Sequence, residues 1–238
     1  MTPFARLLRE VRACTACAAQ LPLGPRPVLQ AHPAARLLLA SQAPGRKVHE
    51  SGIPFDDASG QRLRAWLGLS PETFYDARLV AIVPMAFCYP GTGRSGDLPP
   101  LPECERRWRA RLLAPLKQIE LTVVIGGHAQ ACYDAADEGM ARRRTITEAV
   151  RNWRRNWPRQ LVLPHPSPRN NRWLLRNPWF EGEVLPVLQA RVAEVLCGAA
   201  PADRPTTARG ANAGRARQEK PDAGRETALA RRDRRAVA

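Results

Sequence analysis

Four short runs of apolar residues recur along the chain, and longer amphipathic stretches separate them. The runs are residues 36–41 (RLLLAS), 79–85 (LVAIVPM), 121–126 (LTVVIG) and 160–164 (QLVLP). Unbroken apolar runs of this length are typical of strands that are buried on both faces of a sheet. We therefore predict four buried β-strands.

The stretches around these runs predict helices near residues 3–14, 60–69, 104–119, 128–137 and 181–197. Strands that alternate with helices form a largely parallel sheet with helices packed on both faces. The predicted fold class is α/β: a three-layer αβα sandwich around a central, mostly parallel four-stranded sheet. Folds of this class bind ligands beyond the carboxyl ends of their strands, so functional residues are expected there.

The charge of the chain indicates its partners. Its 37 Lys and Arg against 22 Asp and Glu give a formal net charge of +15. A surplus this large attracts polyanions, nucleic acid first and anionic membrane surfaces second. No apolar run approaches the roughly 18 residues of a membrane span, and charged residues interrupt the N-terminal stretch. We therefore expect a cytoplasmic, nucleoid-associated protein that binds no membrane, with cysteines that are reduced or metal-bound.

The composition changes near residue 198. Beyond it, large apolar residues nearly disappear, and Lys and Arg outnumber Asp and Glu two to one. We expect one domain over residues 1–198 and a basic disordered tail over residues 199–238. The tail is either a solvated appendage or an arm that binds nucleic acid without sequence specificity.

Three of the predicted strands run into loops rich in Pro and Gly. These loops are residues 41–45 (SQAPG), 87–91 (FCYPG) and 165–170 (HPSPRN). Each one alone is an ordinary turn. Because the strands are predicted to be parallel, all three loops should meet at one edge of the sheet and form a candidate site there.

These segments resemble the uracil-DNA glycosylase superfamily, in particular its bacterial and archaeal iron-sulfur branch, usually called family four. The QAPG segment, with GIPF at 52–55 and SGxxL at 59–63, is similar to the family's G-E-x-P-G, G-x-P-F and G-x-x-L motifs. The HPSPRN segment resembles the second superfamily motif as it occurs in the single-strand-selective branch. The resemblance implies a monofunctional DNA glycosylase that hydrolyses the N-glycosidic bond of uracil or a related deaminated base in DNA.

The resemblance also implies roles for single residues. His165 would hydrogen-bond uracil O2 and stabilise the anion as it forms, and Phe55 would provide the face on which the base stacks. Gln42 would position the attacking water or the base. The resemblance further places Ala43, Pro44 and Gly45 at the base, and Ser167, Pro168, Arg169 and Asn170 in a loop that presses into the minor groove. We expect a monomer that binds DNA containing uracil or another deaminated base.

Two positions depart from the family pattern. Many relatives have an acid where Gln42 stands, and Glu50 or His49 in the following loop are candidates for the missing base. Pro84 stands where the family often has an asparagine that reads the uracil edge, so hypoxanthine and xanthine compete with uracil as the expected base. The alternative function is a non-catalytic or covalently trapping protein that binds uracil-containing DNA on the same scaffold.

Four of the six cysteines follow a spacing similar to that of the iron-sulfur branch. Cys14 and Cys17 form a C-x-x-C pair, and Cys88 and Cys104 follow with fifteen residues between them. By resemblance these are the ligands of a 4Fe-4S cluster that staples a DNA-facing loop. A zinc site and plain buried thiols are the alternatives. The two remaining cysteines are expected to be core or incidental residues.

Overall fold

A computed structural model describes residues 1–94, 96–136 and 144–197 of the chain. All of them belong to one compact unit. The tail predicted for residues 199–238 lies outside the described residues.

The described residues contain six β-strands: β1 (Leu37–Ala40), β2 (Val80–Ile82), β3 (Thr92–Gly93), β4 (Gly96–Asp97), β5 (Leu121–Ile125) and β6 (Gln160–Leu163). Four of them form a parallel central sheet in the order β2-β1-β5-β6, and β3 and β4 form a separate antiparallel hairpin. In the register of the sheet, Leu39 pairs with Ile82 on one side and with Val123 on the other. The four strands predicted from the apolar runs and the parallel sheet are confirmed.

Nine α-helices are present in the described part of the chain. They are α1 (Pro3–Arg12), α2 (Arg46–Ser51), α3 (Ala58–Leu67), α4 (Pro71–Tyr75), α5 (Ala110–Leu113), α6 (Gly126–Ala135), α7 (Ile146–Arg151), α8 (Asn171–Arg176) and α9 (Leu185–Cys197). The π-helical turns Glu105–Arg109 and Phe180–Val184 lead into α5 and α9. The long helices predicted near 104–119 and 181–197 therefore each begin as a π-helical turn, and the first of them ends early. The short helices α2, α4, α7 and α8 were not predicted.

Two separate hydrophobic clusters bury the two faces of the sheet. Leu37 and Leu39 of β1 belong to the cluster that contains Trp66 of α3. Leu38 belongs to the other cluster, which contains Leu112 of α5. Because alternate residues of a strand point to opposite faces, β1 lies between two layers of helices, and the predicted αβα sandwich is confirmed. Burying a leucine contributes about 1.5–3 kcal/mol, so each layer is held firmly against the sheet.

Within the described residues, no helix combines the length and the apolar character needed to cross a lipid bilayer.

Candidate active site

The carboxyl ends of β1, β2 and β6 open into a cavity of about 530 Å³. Two of the three predicted loops, residues 41–45 and 165–170, contribute to its lining. The third, residues 87–91, does not line it: Phe87 and Cys88 lie at a second pocket, and the chain after β2 reaches the cavity through Pro84 instead. The predicted site residues that line it are Gln42, Ala43, Pro44, Gly45, Phe55, His165, Ser167, Pro168, Arg169 and Asn170. Pro84 also lines it. The structure thus brings together every predicted base-binding and DNA-binding residue, together with two of the three predicted catalytic residues.

His165 follows β6 and is held by the loop that comes after it. Its Nδ1 accepts a hydrogen bond from the Ser167 backbone N–H at 3.2 Å, and Asn170 Nδ2 donates to the His165 carbonyl at 2.7 Å. Burial lowers the pKa of His165, and the nearby Asp57 carboxylate opposes that shift. The imidazole is therefore neutral at pH 7. Because Nδ1 accepts, the single ring proton resides on Nε2, which is left as a hydrogen-bond donor.

Phe55 adopts a backbone conformation that residues other than glycine rarely adopt. Its φ is 56°, in the left-handed region. Such a conformation costs on the order of 1–3 kcal/mol, which contacts in the surrounding structure must offset. The ring packs edge-on against Phe74 with centroids 6.2 Å apart, and Gly60 lies directly beneath the Phe55 carbonyl. The strained backbone is typical of a functional site and fixes the ring at the cavity wall.

Gly60→Ala is expected to destabilise the protein because no Cβ fits at this position. A Cβ on Gly60 would come within 1.7 Å of the Phe55 carbonyl oxygen. Overpacking typically costs about 1–3 kcal/mol, and in a domain of this size each kcal/mol lowers the midpoint of thermal unfolding by about 2–4 °C. The matched control is Gly127→Ala in α6, where a Cβ meets nothing within 4 Å. A Gly60→Ala protein that unfolds at the wild-type temperature would contradict this packing.

Asp57 is the residue that sequence reasoning missed. It lines the cavity and caps α3, where its Oδ1 accepts the Gly60 backbone N–H at 2.8 Å. Its Oδ2 accepts no hydrogen bond from the described residues. Its charge raises the pKa of His165, so the carboxylate and the imidazole interact electrostatically. An aspartate at a helix start is typical of an N-cap, so the sequence alone gives no sign that this carboxylate also lines the cavity.

Glu50 and His49 do not line the cavity. The sequence suggests either of them as the catalytic base. Of the second helix, only Lys47 and Val48 line it. The Glu50 carboxylate is exposed and pairs with Arg46 Nε at 2.9 Å, while His49 is buried with its ring centroid 6.2 Å from that of Tyr89. The prediction that Glu50 takes part in catalysis is therefore not supported by its position, since its carboxylate lies at the exposed surface of α2 and does not line the cavity.

The wall formed by Pro84 and Gln42 offers one amide to a ligand. The strands continue to pair beyond their ends: the Met85 backbone N–H donates to the Ser41 carbonyl at 2.8 Å, and the Ala86 backbone N–H donates to the Gln42 carbonyl at 2.9 Å. Pro84 has no side-chain donor or acceptor. The Gln42 side-chain amide makes no hydrogen bond within the described part of the chain, so it remains available to a ligand.

The β3–β4 hairpin contributes to the lining of the cavity. Its Gly96 and Asp97 line the cavity, and Gly96, with a φ of +136°, packs so tightly that a Cβ there would lie 2.0 Å from Arg169 Nη1. On the other side of the loop, Arg62 Nη1 donates to the Ser167 carbonyl at 3.3 Å. The predicted DNA-binding loop is therefore seated between the hairpin and α3.

The four predicted cluster cysteines meet at a second, smaller pocket. Cys14, Cys17, Cys88 and Cys104 line it together with apolar residues, among them Trp108. The Trp108 indole N–H donates to Cys14 Sγ at 3.3 Å. No three His, Cys, Asp or Glu side chains in the described ranges come close enough together to hold a single metal ion. The four cysteine side chains nevertheless line one small pocket.

The thiols of this pocket influence one another. Burial, together with the neighbouring cysteines, raises the pKa of Cys88 to about 11, although a hydrogen bond with the Arg26 backbone opposes this shift. Burial and neighbouring thiols also raise the pKa of Cys17 and of Cys104. Thiols with raised pKa values are protonated at neutral pH, and a positive charge bound among them would favour the thiolates.

Residues 30–189 match the family model described as the uracil DNA glycosylase superfamily. The match covers more than half of the chain and includes Gln42, Phe55, Asp57 and His165. It includes neither Cys14 nor Cys17.

Proposed function

The chain belongs to the uracil DNA glycosylase superfamily, and we propose that it is a monofunctional DNA glycosylase that hydrolyses the bond between deoxyribose and uracil or a related deaminated base. The observation that carries this proposal is the cavity itself. It holds a neutral imidazole donor, a carboxylate and an aromatic face at the carboxyl ends of one parallel sheet. These are the three groups that base hydrolysis needs.

The base must first leave the DNA stack to reach this cavity. Extrusion of a nucleotide costs a few kcal/mol, and the cost is smallest for a mispaired or single-stranded base. Stacking on Phe55 returns about 1–3 kcal/mol. Because the Phe55 ring already packs against Phe74, little side-chain freedom is lost when a base stacks on it.

His165 then stabilises the leaving group. When the bond between C1′ and N1 breaks, its electron pair leaves with the base, and the resulting anion spreads onto O2. The Nε2–H of the neutral His165 donates a hydrogen bond to that oxygen. Preorganised donors of this kind contribute about 10²- to 10³-fold to the rate.

The Asp57 carboxylate has two roles: it stabilises positive charge on the sugar and accepts a proton from the attacking water. As the base departs, positive charge develops on the deoxyribose, and the carboxylate stabilises it. The oxygen of a water molecule forms the new bond to C1′, and one of its protons passes to Asp57. Asp57 thus takes the role for which Glu50 was considered, and the bond from Gly60 to Oδ1 leaves Oδ2 for this task.

Gln42 is the side chain that we assign to reading the base. Its amide carries both a donor and an acceptor, and it makes no hydrogen bond to the described residues. A rotated amide can match uracil or hypoxanthine, since both present a carbonyl beside an N–H group. Pro84 leaves no second amide to exclude other bases, which supports a site that accepts more than one deaminated base.

The test is a panel of labelled oligonucleotides with a single deoxyuridine, deoxyinosine, deoxyxanthosine or cytosine. Each is presented single-stranded and in a duplex, and alkali reveals abasic sites. We expect release of uracil and no release of cytosine. Absence of abasic sites for every base, from protein that still binds the oligonucleotide, would instead favour a non-catalytic or covalently trapping protein.

We further propose that Cys14, Cys17, Cys88 and Cys104 hold a 4Fe-4S cluster. The donor set fits this group: four thiols line one small pocket, and the Trp108 N–H already points at one sulfur. A zinc ion needs four donors within about 2.3 Å of one point, whereas a cubane binds each thiolate to a different iron. Four cysteine side chains around one pocket supply one thiolate for each of the four irons, which supports the cluster.

The cluster would act on structure and not on bond hydrolysis. The β3–β4 hairpin lies in the chain segment between Cys88 and Cys104, and it contributes Gly96 and Asp97 to the cavity. A cluster bound to Cys88 and Cys104 would anchor both ends of this segment, and with them the hairpin against which Arg169 packs. No step of the proposed hydrolysis passes through the cluster.

Anaerobically purified protein is expected to be brown and to contain about four irons per chain. Cys88→Ser should lose most of the iron and weaken DNA binding because the hairpin is released. Cys132→Ser is the matched control, since Cys132 lies outside the pocket, and it should retain both. Colourless, zinc-containing protein, or iron content that Cys88→Ser leaves unchanged, would contradict the cluster.

A further inference from the structure

The outer face of α8 exposes an apolar side chain between two cations. Leu175 is 82% exposed, more than any other large hydrophobic residue in the described part of the chain. Arg172 and Arg176, three residues before it and one after it, are also exposed. Residues three and four apart share one face of a helix, so these three side chains form a single surface, the α8 face.

The opposite side of α8 anchors the helix to the core. Trp173 and Leu174 pack against the main hydrophobic cluster. The Trp173 indole N–H donates to Thr147 Oγ1 at 2.8 Å, and Asn177 Nδ2 donates to the Trp173 carbonyl at 2.8 Å. The α8 face is therefore presented on a fixed support, and the exposure of Leu175 does not result from a loosely attached segment.

The α8 face is continuous with the loop that lines the cavity. Helix α8 begins at Asn171, directly after the turn Pro168–Asn170. Arg169 of that turn and Arg172 of the helix lie three residues apart in the chain. The exposed residues of α8 include no carboxylate, and neither Arg172 nor Arg176 forms an ion pair with a described residue. The surface therefore extends the positive charge of the loop away from the cavity.

We propose that the α8 face binds the DNA strand that flanks the extruded nucleotide. Arg172 and Arg176 contact its phosphates, and Leu175 packs on the apolar edge of a deoxyribose between them. Charge complementarity and continuity with the loop at the cavity select DNA as the occupant. This inference rests on the proposed function, since it assumes that the extruded base lies in the cavity.

The test measures DNA affinity of the full chain as a function of salt concentration. Arg172→Ala/Arg176→Ala should raise the Kd of a uracil-containing oligonucleotide about tenfold and reduce the magnitude of the salt slope by about 2. The matched control is Arg6→Ala/Arg9→Ala on α1, which removes the same charge from an exposed surface remote in sequence. Leu175→Ala should weaken binding about threefold without changing the salt slope, whereas Leu23→Ala should change neither.

Oligonucleotide length provides the second readout. Wild-type affinity should fall when nucleotides on one side of the deoxyuridine are removed, and this fall should vanish in Arg172→Ala/Arg176→Ala. Affinities and slopes equal to those of the Arg6→Ala/Arg9→Ala control would overturn the inference. Excision by the wild-type chain, measured in parallel, tests the proposed function separately, because the α8 face can be wrong while uracil is still released.

Discussion

Replacing His165 by alanine is expected to lower the rate constant of uracil release by about 10²- to 10³-fold in single-turnover reactions. The neutral imidazole presents Nε2–H to the cavity because Nδ1 accepts the Ser167 N–H. Without that donor, the departing anion loses a preorganised hydrogen bond that forms fully only in the transition state. The loss should therefore appear in the chemical step.

The DNA affinity of His165→Ala distinguishes a catalytic role of His165 from a structural one. His165→Ala should bind an oligonucleotide with an abasic-site analogue within about threefold of wild type, since the lost interaction is made to the leaving base. The thermal unfolding midpoint reports on any collapse of the loop from Ser167 to Asn170. A release rate that stays at the wild-type value would remove His165 from the mechanism.

Asp57→Asn is expected to lower the same rate constant by about 10²- to 10⁴-fold. Asparagine keeps an oxygen that can accept the Gly60 N–H, so the N-cap of α3 is retained while the negative charge is lost. The uncharged amide can neither accept a proton from water nor stabilise the developing positive charge on the sugar. The free energy of unfolding of Asp57→Asn should change little. Asp57→Ala, in contrast, also loses the helix cap, which should lower the free energy of unfolding by about 1 kcal/mol.

Two matched variants test whether the position of the Asp57 charge matters. Asp97→Asn removes the charge of the hairpin carboxylate at the cavity, and Glu50→Gln removes a charge outside it. Both should retain most of the activity. In Asp57→Asn the pKa of His165 should fall further below its usual range, because the carboxylate that raises it is gone. An NMR titration measures this shift. An Asp57→Asn enzyme that is as fast as wild type, with an unchanged His165 titration, would contradict the assignment.

The sheet could be predicted from the sequence because its strands are unbroken apolar runs. Leu37–Ala40 and Leu121–Ile125 are buried on both faces, so burial alone specifies them. Parallel pairing then placed the loops after β1 and β6 at one edge, where they line the cavity. The loop at residues 87–91 was expected there too, but it contributes Phe87 and Cys88 to the cysteine pocket. The short helices α2 and α8 escaped prediction because each is a single turn and a half, too short for a clear periodicity.

The carboxylate of the site could not be predicted because it depends on the fold. Glu50 is closer in sequence to Gln42 than Asp57 is, but the fold places it on the exposed surface of α2, where it pairs with Arg46, and outside the cavity lining. The strained φ of Phe55 and the close approach of Gly60 depend on tertiary packing. The contact of the hairpin with Arg169 likewise joins segments more than seventy residues apart in the chain, which linear spacing does not reveal.

The central claim is that the chain releases a free base from DNA, and the most direct test is to quantify free uracil over time from excess duplex oligonucleotide containing one deoxyuridine opposite guanine. We predict more than one uracil released per protein chain, an equal number of alkali-sensitive abasic sites, and no protein–DNA species that survives denaturing electrophoresis. Release that stops at one equivalent with a denaturation-resistant complex, or binding without any free uracil, would contradict the account.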